Sequence, residues 1–168
     1  MNTGVEQKQQ KSGMTEHGVI NMQISKEGID LVKKFEGCKL EAYQCAAGVW
    51  TLGYGSTHGV KQGDTCSQEE AENMLIDELK EYGNYVKELV TVPLNQHQMD
   101  AMISWTFNLG PSNLKSSTLL MILNQAIYEE IPFQIKRWNK VNGVVNDGLI
   151  RRREAEALLF EGKSWEHI

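Results

Sequence analysis

Phe35-Glu36-Gly37-Cys38-Lys39-Leu40-Glu41-Ala42-Tyr43-Gln44-Cys45-Ala46-Ala47-Gly48-Val49-Trp50-Thr51-Leu52-Gly53-Tyr54-Gly55 is the stretch on which the fold turns, because a helix and a hairpin meet inside it. Upstream, Ser25 offers an N-cap, Glu27 puts negative charge in the first turn, and Ile29, Val32 and Phe35 recur at helical spacing. Gly37 ends that helix, since glycine takes the left-handed C′ conformation without a steric cost. Glu36 therefore falls on the last turn, just behind the apolar stripe, where partial burial favours the protonated form that a general acid needs. Tyr43, Val49, Trp50 and Thr51 have strand propensity, Ala47-Gly48 can turn, and Gly48, Gly53 and Gly55 suit a tight hairpin with close backbone approach. Packed against the helix end, that hairpin presents Cys45 and Thr51 to Glu36.

From residue 67 onward the chain reads mostly as helix. Ser67-Gln68-Glu69-Glu70 is a capping box, and Ala71, Met74, Leu75, Leu79, Tyr82, Val86 and Leu89 continue from it as one face until Pro93. About 23 residues at 1.5 Å each give a helix of about 35 Å, long enough to join two lobes with a cleft between them. Asn95 to Gln98 is a second capping box, leading through Met99, Met102, Ile103 and Thr106 to a stop at Gly110-Pro111. Further helices are expected over 117–126, 131–139 and 149–161, the last two separated by turn signals at Asn142-Gly143 and Asn146-Asp147-Gly148. Trp105, Phe107, Trp138 and Trp165 are read chiefly as core.

The 168 residues, 40% of them hydrophobic, suffice for one folding unit with a real core. Residues 1–21 are polar and read as a disordered or processed tail, with no signal-peptide h-region, membrane anchor or apolar run of spanning length. The formal charge of −5 lies in the first part of the chain, whereas residues 109–168 hold 8 Lys and Arg against 7 Asp and Glu. Nucleic acid is an unsuitable partner for such a surface. The one basic run, Arg151-Arg152-Arg153, reads as a solvated helix face or helix-end ion pairs for two of its three members. Four histidines and three cysteines show no close ligand spacing, so no metal and no other cofactor is expected. His58, alone in a loop, is read as an exposed side chain.

Glu36, eight residues, Cys45, five residues, Thr51, then Leu-Gly-Tyr-Gly resembles the catalytic signature of phage lysozymes of the T4 and lambdoid endolysin type, glycoside hydrolase family 24. Val92-Pro93-Leu94-Asn95-Gln96, Phe107-Asn108-Leu109-Gly110 and Gly148-Leu149-Ile150-Arg151-Arg152-Arg153-Glu154-Ala155-Glu156 resemble that family's C-terminal part in the right order. The resemblance implies an α+β, mostly α, lysozyme-like fold: a small N-terminal β-hairpin lobe (about 22–66), a linking helix (67–92) and a helical lobe (93–168). It implies Glu36, Cys45 and Thr51 as catalytic residues and Phe107 and Asn108 at the sugar-binding cleft. Arg152, or Arg151 if the register slips by one, is the implied ion-pair partner that orients Glu36.

Most members carry aspartate where this chain has Cys45. Cysteine there, with a second cysteine two residues after the glutamate as Cys38 is here, is similar to the subgroup around the phage P1 lysozyme. In that subgroup a disulfide between the two blocks the site until a third cysteine, in an N-terminal membrane anchor, exchanges with it. The resemblance thus implies a Cys38–Cys45 regulatory disulfide, with Cys66 as a conceivable exchange partner. A free cysteine acting as a small buried hydrophobe is the plainer reading, and it weighs most for Cys38.

The implied reaction is hydrolysis of the β-1,4 bond between N-acetylmuramic acid and N-acetylglucosamine in bacterial peptidoglycan, causing host lysis for phage release. Glu36 would protonate the leaving oxygen. Cys45 would serve as thiolate base or as a positioner of water, and Thr51 would hold that water. A thiol of ordinary pKa near 8.5 is mostly neutral at pH 7, so the thiolate role requires a local depression. The enzyme would be a monomer made in the host cytoplasm, reaching the wall in the periplasm through a holin-type membrane pore. Two other classes fit the same scaffold: a peptidoglycan-binding protein whose catalysis is impaired by Cys45, and a chitinase or transglycosylase.

Overall fold

The computed structural model describes residues 22–168 and, before them, the two-residue strands β1 (Met14–Thr15) and β2 (Gly18–Val19), paired antiparallel. The tail read over the rest of 1–21 lies outside the described residues.

Helix α1 (Lys26–Glu36) runs to the glutamate and stops at Gly37, whose φ of 67° marks the left-handed turn. Ser25 stands at the N-cap position but does not cap with its side chain. Its hydroxyl and its N–H (2.8 Å) are both donated to Asp100, a carboxylate buried in another helix. A buried charge with unmet acceptor capacity outcompetes the helix's own first-turn amides. Gly28 lies over the same aspartate, and a Cβ there would stand 2.9 Å from Asp100 Cβ. Absence of a side chain at residue 28 thus lets the two backbones close up.

Strand β3 (Lys39–Gln44) pairs antiparallel with β4 (Trp50–Gly53), with Tyr43 opposite Thr51 and Gln44 opposite Trp50. Cys45 and Val49 close the turn between them: the Cys45 N–H donates to the Val49 carbonyl (3.0 Å) and the Gly48 N–H to the Cys45 carbonyl (2.8 Å). Residues 64–66 line the other edge of β3, through Ala42 N–H to Asp64 O (2.8 Å) and Cys66 N–H to Leu40 O (3.0 Å). Gly53 brings β4 onto the next helix, where a Cβ would meet Ala71 Cβ at 3.3 Å.

That helix, α2 (Gln68–Leu89), opens on the expected capping box between Ser67 and Glu70. Helix α3 (Gln96–Leu109) opens on the second, between Asn95 and Gln98, and stops at Gly110. Every residue from Met99 to Thr106 is buried, because α1, α2 and the C-terminal helix all pack on α3.

Beyond α3 the expected boundaries move. A helix not expected from the sequence, α4 (Pro111–Ser116), follows Gly110, and the helix expected over 117–126 is the shorter α5 (Thr118–Leu123), with Ser117 ending α4 and capping α5 through Leu120 N–H (3.0 Å). A 3-10 turn (Tyr128–Glu130) leads to α6 (Ile131–Lys136). The chain then forms a hairpin, β5 (Lys140–Val141) and β6 (Val144–Val145), around Asn142-Gly143. Both turn residues have positive φ, 48° and 79°, which suits a two-residue hairpin. Helix α7 (Asp147–Phe160) begins two residues before the expected 149, capped by Asn146 on Leu149 N–H (2.9 Å), so Gly148 belongs to its first turn. Trp105 and Trp165 are core, whereas Trp138 is half-buried with its ring edge-on to Trp105.

Candidate active site

Glu36 ends α1 with its side chain 23% exposed, and Arg152 Nη1 donates to its Oε1 at 2.6 Å. Of the two arginines considered for this pairing the structure uses Arg152; Arg151 is exposed and bonds the Ile168 carbonyl through Nε (3.1 Å) and Nη2 (2.5 Å). Arg153, fully buried, donates through Nη2 to Asn108 Oδ1 at 2.7 Å. Two of the three arginines are therefore interior groups, against the solvated-face reading. What admits them is Glu156, equally buried and unmarked in the sequence as a site residue. Its Oε1 accepts from Arg152 Nε (3.1 Å), Arg153 Nη2 (3.1 Å) and Ser104 Oγ (2.8 Å). Burial pulls Arg153 below the ordinary arginine value, and the Glu156 charge beside it opposes the shift.

Two cavities meet at Glu36. One of about 460 Å³ is walled by Glu36, Tyr54, Glu78, Tyr82, Phe107 and Asn108, and one of about 400 Å³ by Phe35, Glu36, Asn108, Leu149 and Arg152 among others. Because Glu36 and Asn108 belong to both walls, a groove passes across them. Phe107 is half-buried on its floor, edge-on to Tyr82 at 5.1 Å between ring centroids. His58 also borders the first cavity, as an exposed side chain.

Glu78, on α2, is a second carboxyl group of this groove, with Glu81 beside it as a third, and sequence reasoning missed both. Burial pushes the Glu78 pKa up, the neighbouring Glu81 and Glu36 charges push the same way, and the Ser56 hydroxyl opposes them. The signal was available, since residue 78 falls on the same helical stripe as Leu75 and Tyr82, where a carboxylate is out of place.

Cys45 and Thr51 stand on the hairpin and wall neither cavity. Thr51 is buried, its hydroxyl donating to the Val49 carbonyl at 3.0 Å. Cys45 is half-exposed, and its thiol is held below the ordinary value first by the Val49 backbone N–H, then by that of Ala47, with the Thr51 hydroxyl adding to both. A turn whose amides converge on one sulfur stabilises the thiolate.

Cys38, Cys45 and Cys66 are all free thiols. Cys38 points its sulfur at Gln68 Oε1 (3.8 Å), and Cys66 lies near enough for the two to interact: burial first, and Cys38 next, push the Cys66 thiol up. Among the described residues no group of three His, Cys, Asp or Glu side chains is arranged to hold a metal ion, and no helix is long and apolar enough to cross a membrane.

The profile of the phage lysozyme family matches residues 33–156. The chain is 44% identical over 144 residues to the endolysin of Acyrthosiphon pisum secondary endosymbiont phage 1, covering 83% of this chain and 99% of that one. It also matches longer endolysins, spanning 54% of the length of that of Bacillus phage B103. Among solved structures, a variant of P22 lysozyme superposes with a TM-score of 0.77 at 39% identity, covering 83% of this chain and 99% of that one. The active form of the P1 phage endolysin shares the fold at a TM-score of 0.77 and 24% identity, covering 84% and 86%. With a buried arginine on the helix-end glutamate, a groove across it and these relatives over most of its length, the chain belongs to the phage lysozyme family, as a glycoside hydrolase with an endolysin's muramidase role on peptidoglycan.

Proposed function

We propose that Glu36 is the general acid, Cys45 the group that activates or positions water, and Thr51 the hydroxyl that holds that water. Arg152 on Glu36 at 2.6 Å is the observation that carries the assignment, because it fixes one carboxyl oxygen and leaves Oε2 to carry a proton into the groove. The proton passes to the glycosidic oxygen as the bond to the muramic acid C1 breaks, and water adds to C1 from the opposite face with its own proton leaving to the Cys45 thiolate. Single inversion at C1 is the outcome of such a one-step displacement. The backbone amides around Cys45 favour the thiolate this step uses. Phe107 and Asn108, on the groove floor, are the sugar contacts.

The division into lobes at 22–66 and 93–168 joined by 67–92 belongs to the same proposal, with the groove as the substrate channel between them. So does the route: synthesis in the host cytoplasm, passage through a holin-type pore, and action as a monomer in the periplasm. An oxidised form bridged between Cys38 and Cys45 would be inactive, with Cys66, beside Cys38, as the exchanging thiol. Intact-mass analysis with and without alkylation tests it, and an inactive, non-reduced sample in which Cys38 and Cys45 are both free, so that all three thiols alkylate, would refute it.

The deciding experiment is muropeptide release from purified peptidoglycan under reducing conditions, comparing the parent with Glu36→Gln and reading the new ends by mass spectrometry. Hydrated reducing muramic ends from the parent and none from the variant are expected. Anhydro ends would replace hydrolysis by transglycosylation, and equal release from both would remove Glu36 from the mechanism.

A further inference from the structure

Helix α7 carries Arg152, Arg153 and Glu156 on the face turned inward, with side-chain exposures of 4%, 0% and 0%. Glu156 is bonded on Oε1 by both arginines and by Ser104, and its Oε2 lies 2.9 Å from Arg153 Nε. Each guanidinium also reaches a groove residue: Arg152 Nη1 bonds Glu36 (2.6 Å) and Arg153 Nη2 bonds Asn108 (2.7 Å). We propose that Glu156 is a positioning residue of the reaction, the single buried anion on which both arginines pivot to hold the Glu36 carboxyl and the Asn108 amide in one geometry.

Two adjacent guanidiniums inside a protein repel and are poorly solvated, so an anion between them is a condition of their being there. Folding alone would be served as well by apolar side chains at these places. What sets this cluster apart is where its outer contacts end, on two walls of the same groove. Arg153 engages the Asn108 carbonyl oxygen, so the Asn108 NH₂ is turned to donate. The partner such a donor selects is an acceptor oxygen, such as an acetamido carbonyl of an N-acetylated sugar.

Charge balance points the same way. With Glu36 ionised, two arginines face two carboxylates; with Glu36 protonated, the cluster carries one positive charge. Removing the Glu156 charge adds a further positive charge, which holds Glu36 in its ionised form and withdraws the proton that catalysis donates. Glu36 also faces Lys34 on its own helix, Arg151 on α7, His58 after β4, and Glu78 and Glu81 on α2, and the test variants leave all of these unaltered.

The inference rests on Glu36 as the acid, so the test has two readouts: kcat and KM against pH on peptidoglycan fragments, and carboxyl-carbon NMR titration of Glu36. Glu156→Gln is expected to move the alkaline limb and the Glu36 titration to lower pH by about one unit, a roughly tenfold loss of protonated acid above the limb. Glu156→Asp should keep both near the parent. Arg153→Gln should move them to higher pH while raising KM through Asn108, and the double variant Glu156→Gln/Arg153→Gln should return the titration to the parent's and keep the high KM. A folded Glu156→Gln with an unmoved titration overturns the proposal; if that variant does not fold, an unmoved titration in Arg153→Gln does so instead. An active Glu36→Gln would remove the acid assignment, while the titration would still decide whether Glu156 governs the Glu36 proton.

Discussion

Replacing Gly28 by alanine sets two known effects against each other. On helix propensity alone, Gly→Ala inside α1 stabilises by about 1 kcal/mol. The structure reverses the sign. The new methyl would stand 2.7 Å from Ile24 Cγ1 and 2.9 Å from both Cβ and Cγ of Asp100. Carbon pairs settle near 3.5–4.0 Å, so α1 must move away from α3 by roughly half an ångström or more. Asp100 cannot yield easily, because Ser25 N–H (2.8 Å) and Gln96 Nε2 (2.8 Å) hold it and the Ser25 hydroxyl bonds its other oxygen. Overpacking of this kind costs about 1–3 kcal/mol, and stretched bonds to a buried carboxylate add about 1 kcal/mol or more. Net destabilisation of about 1–3 kcal/mol is expected, which for a chain of this size lowers Tm by about 3–9 °C. Urea unfolding followed by circular dichroism reads it directly. An alanine variant as stable as the parent, or more so, would refute the close crossing of α1 and α3 at Gly28.

Cys45 should alkylate, in pH-resolved iodoacetamide labelling read by mass spectrometry, with a midpoint below the ordinary thiol value and below that of Cys66, whose thiol is pushed the other way; the reverse order would remove the amide-stabilised thiolate. Cys45→Ala should lose at least about 100-fold in muropeptide release while Cys45→Asp retains activity, on the scale of a lost general base; an alanine variant as active as the parent would exclude the thiol from catalysis. Glu78 has its folded-state pKa raised, so the native state binds its proton more tightly than the unfolded chain and loses stability as pH rises through that range. Glu78→Gln should therefore raise Tm more at pH 7 than at pH 4, and an equal change at both would show that Glu78 titrates as a solvated carboxyl.

How much of this was legible in the sequence differs by residue. The place of Glu36 at a helix end, the two capping boxes and the glycine stops rest on local chemistry that short motifs report faithfully. Arg152 was recoverable only through resemblance, because three successive arginines give no hydropathic reason to bury any of them. Arg153 and Glu156 were out of reach for the same reason: what admits each to the interior is the other, together with Ser104 on a helix some fifty residues earlier. Helix α4 was hidden because its six residues bury one side chain, Leu114, too few for a period to show. Asn142-Gly143 was read as a turn, but the strands on either side are only two residues each, too short for alternation to show.

Burial of the middle of α3, Met99 to Thr106, has a consequence for motion. Its amides have no route to solvent short of disassembling the packing around them, so their hydrogen exchange should follow global unfolding. The turn from Cys45 to Val49 is closed by two backbone bonds at a half-exposed tip and should exchange through local opening. Glu36 is braced through Arg152, Glu156 and Ser104 to α3, the helix expected to exchange slowest, while Cys45 belongs to a turn expected to open sooner. Glycan binding that drew the hairpin down onto the groove would slow exchange at Cys45–Val49 and leave α3 untouched, so deuterium uptake with and without a chitooligosaccharide would separate the anchored side of the groove from the adjustable one.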